Sequence, residues 1–208
     1  MKKESNSFNI KKINSILKKN NGYITSKEVT EAKIDRKYLG ILEEREEIER
    51  IDRGIYISKN YNVFEDSYYV LQLKHKNVIF SHFTSLAFRG LTELIPSKID
   101  ITIITGNYRN DYKNYNVFYV RNEKILNLGK ERIKSNFGND IYVYDIERTV
   151  CDIIRSIGRE DMEQVKKILR FFASKIDMIK LNKYAKKMGI SNKVNDYIGR
   201  YVEWKLNN

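Results

Sequence analysis

The chain has one cysteine, Cys151, so neither a disulfide framework nor a zinc ribbon can be built within it. Its two histidines, His75 and His82, leave little material for a histidine-based metal site. Its one proline, Pro96, lies mid-chain, and no internal repeat or low-complexity linker is evident. No apolar run approaches the length of about 18 residues that a bilayer-spanning helix needs. Met1 to Lys12 is basic and lacks an apolar stretch, which does not read as a secretory signal, so a cytoplasmic protein is expected.

What is present is enough chain and enough apolar surface for a packed core. The 208 residues suffice for two small domains or one larger one, and a hydrophobic content of 41% excludes global disorder. Lysine and arginine number 39 against 27 acidic residues, a net charge of +12. That excess is uneven: residues 1–60 carry +4, residues 61–147 carry +1 and residues 148–208 carry +7. Residues 1–40 alone carry +6, before Glu43, Glu44, Glu46 and Glu47 reverse the sign. The Lys, Ile and Asn bias fits an AT-rich bacterial genome.

Phe8, Ile10, Ile13, Ile16 and Leu17 recur at helical spacing and predict a helix at about 7–20, with Ser7 as cap and Asn20-Asn21-Gly22 as stop. Tyr23-Ile24 reads as a short extended link. Thr25 or Ser26 caps a second helix to about Ala32, and Asp35 a third over about 36–46. Residues 49–57 alternate about Asp52-Arg53-Gly54 as a β-hairpin. Three helices and a hairpin follow the order of a winged helix-turn-helix. Beyond it, helices are expected at Phe64–Lys74 and from Ser81 to about Arg89. Strands are expected at Val78–Phe80, Ile99–Ile104, Asn116–Arg121 and Asp140–Tyr144. From about residue 146 the chain reads as helical, with apolar stripes Val150–Ile157, Met162–Phe172, Leu181–Met188 and Tyr197–Val202. Tyr197, Tyr201 and Trp204 read as packing the last helix. The expected fold class is α+β. A winged helix-turn-helix over 1–60 precedes a mixed α/β domain over 61–208 that ends in a helical segment.

The third helix carries the functional signal. Leu39 and Leu42, flanked by Tyr38, form one face, while Arg36, Lys37 and Gly40 lie opposite. In helix-turn-helix proteins the start of the recognition helix meets base edges, and arginine pairs bidentately with guanine. Basic residues come first and glutamates last, the order a groove-facing helix needs. Thr25, Ser26 and Lys27 open the second helix and suit a phosphate, although a simple cap explains either hydroxyl. Arg50 and Arg53 sit in or beside the wing, within reach of backbone or minor groove; Arg50 also suits an ion pair with a glutamate, and Tyr56 reads as core. The expected DNA-contacting set is Thr25, Ser26, Lys27, Arg36, Lys37, Tyr38, Arg50 and Arg53.

The segment Ile13 to Ile57, with Arg50-Ile51-Asp52-Arg53-Gly54-Ile55-Tyr56, resembles the winged-helix domain of AbiEi-type antitoxins. The resemblance continues through Ser81-His82-Phe83-Thr84-Ser85-Leu86-Ala87, Gly90-Leu91-Thr92, Pro96 and Ile101-Thr102. It closes on Tyr144-Asp145-Ile146-Glu147-Arg148-Thr149-Val150-Cys151-Asp152. It implies an antitoxin of a bacterial abortive-infection, type IV toxin–antitoxin module in phage defence. Such a protein represses its own operon by binding inverted repeats in double-stranded DNA. It also counteracts a nucleotidyltransferase toxin, directly or indirectly.

In the closing motif Asp145 suits a helix N-cap and Arg148 with Asp152 an i, i+4 pair; a toxin-neutralising surface is the alternative. His82 reads as buried and hydrogen-bonded, and Cys151 as a small core residue. No Gly-x-Ser-x-Gly, phosphate loop or nucleotidyltransferase signature is present, so no catalytic residue, metal, cofactor or membrane partner is expected. Asp100 with Asp111 and Lys113 is the one arrangement that raises a metal-dependent nuclease. In the basic tail Arg148, Lys166, Lys167, Arg170, Lys183, Lys186 and Lys187 suit extended DNA backbone, an acidic toxin patch, or solvent. The competing class is a plain winged-helix regulator whose C-terminal domain senses a ligand or dimerises.

Overall fold

The computed structural model describes residues 2–60, 65–92, 97–156 and 175–206. The chain divides into two compact units, one of residues 1–76 with 134–141 and one of 77–133 with 142–208.

The first unit begins with α1 (Lys2–Lys19). The helix starts ahead of the predicted residue 7 because Lys2, Lys3 and Glu4 are good helix formers with no breaker among them. Ser7 therefore lies inside α1 and caps nothing. The stop is as expected: Asn21 and Gly22 take φ of 50° and 87°, and the Gly22 N–H donates to the Leu17 carbonyl at 2.7 Å. Strand β1 (Tyr23–Thr25), α2 (Ser26–Glu31), α3 (Lys37–Glu44), β2 (Ile48–Asp52) and β3 (Ile55–Ser58) follow. The strands form an antiparallel sheet ordered β1-β3-β2, so the Tyr23-Ile24 link is a third strand of the wing sheet. Gly54, at φ +74°, makes the tight turn between β2 and β3. Ile13 and Leu17 of α1 pack with Val29, Leu39, Leu42 and Ile48 in one core. Each such side chain contributes about 1.5–3 kcal/mol on burial. This element order fits a winged helix.

The first unit continues to α4 (Ser67–Lys74), capped by Asp66, whose carboxylate accepts from the Tyr69 N–H. Asp66 is fully buried; it also accepts from the Ser135 hydroxyl and from Asn139 Nδ2. The Asp66 N–H donates to the Tyr23 hydroxyl at 2.8 Å. Val70 of α4 packs with Tyr23, Ile55 and Ile57 of the wing sheet.

The second unit holds most of a mixed sheet that runs β6-β5-β4-β8-β7. Its strands are β4 (Ile79–Phe80), β5 (Asp100–Ile104), β6 (Asn116–Val120), β7 (Lys130–Lys134) and β8 (Asp140–Tyr144). Strand β4 pairs antiparallel with β5 and parallel with β8, and β5 pairs parallel with β6. The helices are α5 (His82–Phe88), α6 (Glu123–Leu126), α7 (Ile146–Arg155), α8 (Met178–Met188) and α9 (Ser191–Leu206). Val150, Ile153 and Ile154 of α7 pack with Leu86, Leu181, Ala185 and Val194. The predicted stripes at 150–154 and 181–188 thus face one core. The stripe Met162–Phe172, Ile157 and Pro96 lie outside the described residues, as do the side chains of Tyr201, Val202 and Trp204. Strand β7 and helix α6 were not predicted from the sequence.

Candidate nucleic-acid interface

Thr25 is the N-cap of α2 in a complete capping box. Its hydroxyl accepts from the Glu28 N–H at 3.2 Å, and its own N–H donates to Glu28 Oε2 at 2.8 Å. The Ser26 N–H donates to the Gly54 carbonyl at 2.8 Å, tying the start of α2 to the wing turn. A Cβ on Gly54 would stand 3.3 Å from Ser26 Oγ, so the turn fits closely there. The Thr25 hydroxyl and Ser26 amide are therefore committed to internal bonds. A phosphate at this corner is left chiefly with cationic side chains. Lys27 is exposed and pairs at 3.6 Å with Glu31 one turn on.

Asp35 accepts from the Lys37 N–H at 2.9 Å just ahead of α3, but it is not the cap expected. The N-cap is Arg36, which makes no side-chain cap bond, and the helix runs Lys37–Glu44 where about 36–46 was expected. The bond from the Lys37 N–H holds the Asp35 carboxyl below its ordinary value. Arg36 and Lys37 are exposed at the helix start. Arg36 Nε donates to the Thr30 hydroxyl at 2.8 Å, and Lys37 pairs with Asp35 at 3.4 Å. Leu39 and Leu42 face the core as expected. Tyr38 is a correction: it is 4% exposed, packed with Leu39 and Leu42, and so cannot reach a ligand. One helical step separates it from Lys37, enough to turn it from solvent to core.

A groove of about 520 Å³ gathers six of the eight anticipated residues: Thr25, Ser26, Lys27, Arg36, Arg50 and Arg53. Lys37 and Tyr38 are not among its lining residues. Arg50 Nε donates to the Asp52 carbonyl at 3.3 Å, and the Arg53 N–H to Asp52 Oδ1 at 2.6 Å, which fixes the wing turn between two arginines. The groove also includes Tyr56, which reads as core in the sequence, and Leu73, Lys74 and Lys76, which no sequence motif singles out. Lys74 and Lys76 could not be found by local pattern, since they lie beyond the wing and are brought beside it by the packing of α4. In total six cations face two carboxylates, Glu28 and Glu31. Such a surface attracts a polyanion.

The closing sequence motif is a buried scaffold. Asp145 caps α7, accepting from the Arg148 N–H at 2.8 Å. Arg148 has no exposed side-chain surface and pairs with Asp152 at 3.0 Å. Its Nη1 donates to the carbonyls of Ile125 and Leu128 at 2.6 and 2.8 Å. The pairing of Arg148 with Asp152 is as predicted, but a role for Arg148 on a toxin- or DNA-facing surface is not. The guanidinium is drawn inside by Asp152 and by carbonyls near the end of α6. Ser85 donates to the Tyr144 carbonyl at 2.8 Å and lies 3.1 Å from the Thr149 hydroxyl, so the Ser-His segment and the closing motif interlock.

His82 is buried, its ring nitrogens 2.9 Å from Ser81 Oγ and 3.1 Å from Ser156 Oγ, and it stacks on Phe118. Its φ of 45° is left-handed, and Ser81 bonds the imidazole instead of capping α5. Cys151 is a core residue, its thiol pushed up to about 12 by burial.

Asp100 is 2% exposed, and its carboxylate accepts from the Thr84 N–H and from Asn116 Nδ2. It therefore joins β5 to α5 and β6, which gives it a structural role where the nuclease alternative needs an open ligand. Among the described residues no group of three His, Cys, Asp or Glu side chains is placed to hold a metal ion.

In the tail, Lys183, Lys186 and Lys187 are exposed on α8, off the face formed by Leu181 and Ala185. Lys180 pairs with Asp145 at 3.1 Å and Glu147 at 2.9 Å. Lys166, Lys167 and Arg170 lie outside the described residues. No described helix is long and apolar enough to cross a membrane.

Residues 11–59, the helices and wing that build most of the groove, match a family model described as transcriptional regulator, AbiEi antitoxin. Among solved structures the chain is similar to that of the RV2827C protein from Mycobacterium tuberculosis. The TM-score is 0.54 at 11% identity, over 83% of this chain and 69% of that one, a likeness of fold. No curated protein matches the chain.

Proposed function

We propose that the chain is an antitoxin and transcriptional autorepressor. Its first unit binds inverted repeats in the promoter of its own operon, and its second unit opposes a nucleotidyltransferase toxin. The observation that carries this reading is the convergence of Lys27, Arg36, Arg50 and Arg53 on one groove, within the stretch that matches the regulator family. Arg36, at the start of α3, reads base edges in the major groove; Lys27, Arg50 and Arg53 hold phosphates and set the register. The chemistry asked of the protein is binding, and no catalytic residue is assigned.

A reporter fused to the DNA upstream of the chain's own reading frame tests the repressor role. Output falls when the full chain is supplied in trans; unchanged output contradicts it. For the antitoxin role, a nucleotidyltransferase-like gene beside this one is expected to arrest growth when expressed alone and to permit it when this chain is co-expressed. Continued arrest with both present overturns that half of the reading.

A further inference from the structure

We propose that the DNA-binding surface extends past the wing onto the end of α4 and the turn that follows it, where Lys74 and Lys76 contact backbone phosphates beside those held by Arg50 and Arg53. This rests on the groove being a DNA site. Both lysines line the same groove as Arg36 and the wing arginines, yet they lie beyond residues 11–59, the stretch that matches the regulator family.

The placement of α4 is built rather than incidental. Asp66 caps the helix, and Tyr69 meets Tyr23 edge-to-face at 5.0 Å. Val70 adds a hydrophobic contact to the sheet residues Ile55 and Ile57. The helix therefore ends at a fixed position beside the wing turn. Lys74 Nζ reaches across to Asp52 Oδ2 at 3.0 Å, with the two side chains 34% and 29% exposed. Asp52 is the turn residue that also anchors the Arg53 N–H. A phosphate arriving at Arg53 meets Lys74 already held within one side chain's reach of it. Asp52 is then a competitor for Lys74, and a phosphate is the stronger partner because it also releases condensed counterions. Ordinary solvated lysines would be scattered over the unit. These two line the groove that already holds four cations.

The test measures binding of the full chain to a duplex from its own upstream region and to a scrambled duplex, across a salt series. Lys76→Gln is expected to reduce the slope of log K against log salt by about 0.9 and to weaken binding roughly fivefold at 0.15 M salt, equally on both duplexes. Lys74→Gln behaves alike, and Asp52→Asn, which frees Lys74 while keeping an oxygen for the Arg53 N–H, tightens binding. Circular dichroism of each variant shows that the fold is kept. Unchanged slopes for both lysine variants, with wild type still binding, overturn the α4 contact and leave the DNA-binding reading intact. Failure of wild type to bind either duplex overturns both.

Discussion

A guanidinium with no exposed surface must be neutralised where it lies: Arg148 pairs with Asp152, its Nε and Nη1 donate to Asp152 and to the Ile125 and Leu128 carbonyls, and its Nη2 has no hydrogen-bond partner among the described residues. Removing only the arginine leaves Asp152 buried without its main partner. Arg148→Met is therefore expected to cost about 3–5 kcal/mol in urea unfolding, and the double variant Arg148→Met/Asp152→Leu to recover much of that loss. Equal loss in both would deny the pair its role. Gly129 supplies a second residue-scale test. It sits at φ +73°, and a Cβ there would stand 2.5 Å from the Arg148 Cβ. Gly129→Ala should cost about 2–4 kcal/mol from left-handed strain and overpacking together. Gly138, at φ +81° with open space around it, should cost only the strain of about 1–2 kcal/mol on the same change. Similar losses at the two glycines would contradict the close approach at Arg148.

Elements were legible where local chemistry decides them. The Asn-Gly stop of α1, the Thr25 cap, the Gly54 turn and the Asp145 cap are each set by residues within a few positions, and each stands where its residue type demands. Strand β7, Lys-Glu-Arg-Ile-Lys, was not legible, because a strand with one apolar residue has no period-2 signature. Its conformation comes from its neighbour in the sheet. Helix α6 is a single turn, too short for any periodic signal. The groove was legible in six residues and illegible at Lys74 and Lys76, because the contact of α4 with the wing is set by packing far along the chain.

At the junction of α7 and α8, Lys180 bridges Asp145 and Glu147. Burial opposes the charged form of Glu147, but Lys180 and the Asp177 N–H outweigh it and hold the carboxyl below its ordinary 4.5. A depressed carboxyl contributes stability above its unfolded value, and that contribution is lost as pH falls through the folded value. Glu147→Gln should thus lower the urea midpoint at pH 7 and flatten its decline below about pH 4.5. A decline as steep as that of wild type would contradict the assignment.

Over the whole molecule, the net charge of +12 divides by structural circumstance. The excess near the start of the chain meets Arg50 and Arg53 of the wing in a groove with six cations. The tail excess is partly internal, as Arg148 is, partly paired, as Lys180 is, and partly exposed on α8 at Lys183, Lys186 and Lys187. Charge alone therefore assigns function only to the first unit, where geometry accompanies it. Within that groove, Arg36 is the residue proposed to read sequence. The most direct measurement is the ratio of affinities for the chain's own upstream duplex and a scrambled duplex, for wild type and Arg36→Ala at one salt concentration. Wild type should prefer its own sequence, and Arg36→Ala should lose about 1–3 kcal/mol of that preference while still binding both duplexes. No preference in wild type, or an undiminished preference in Arg36→Ala, would contradict it.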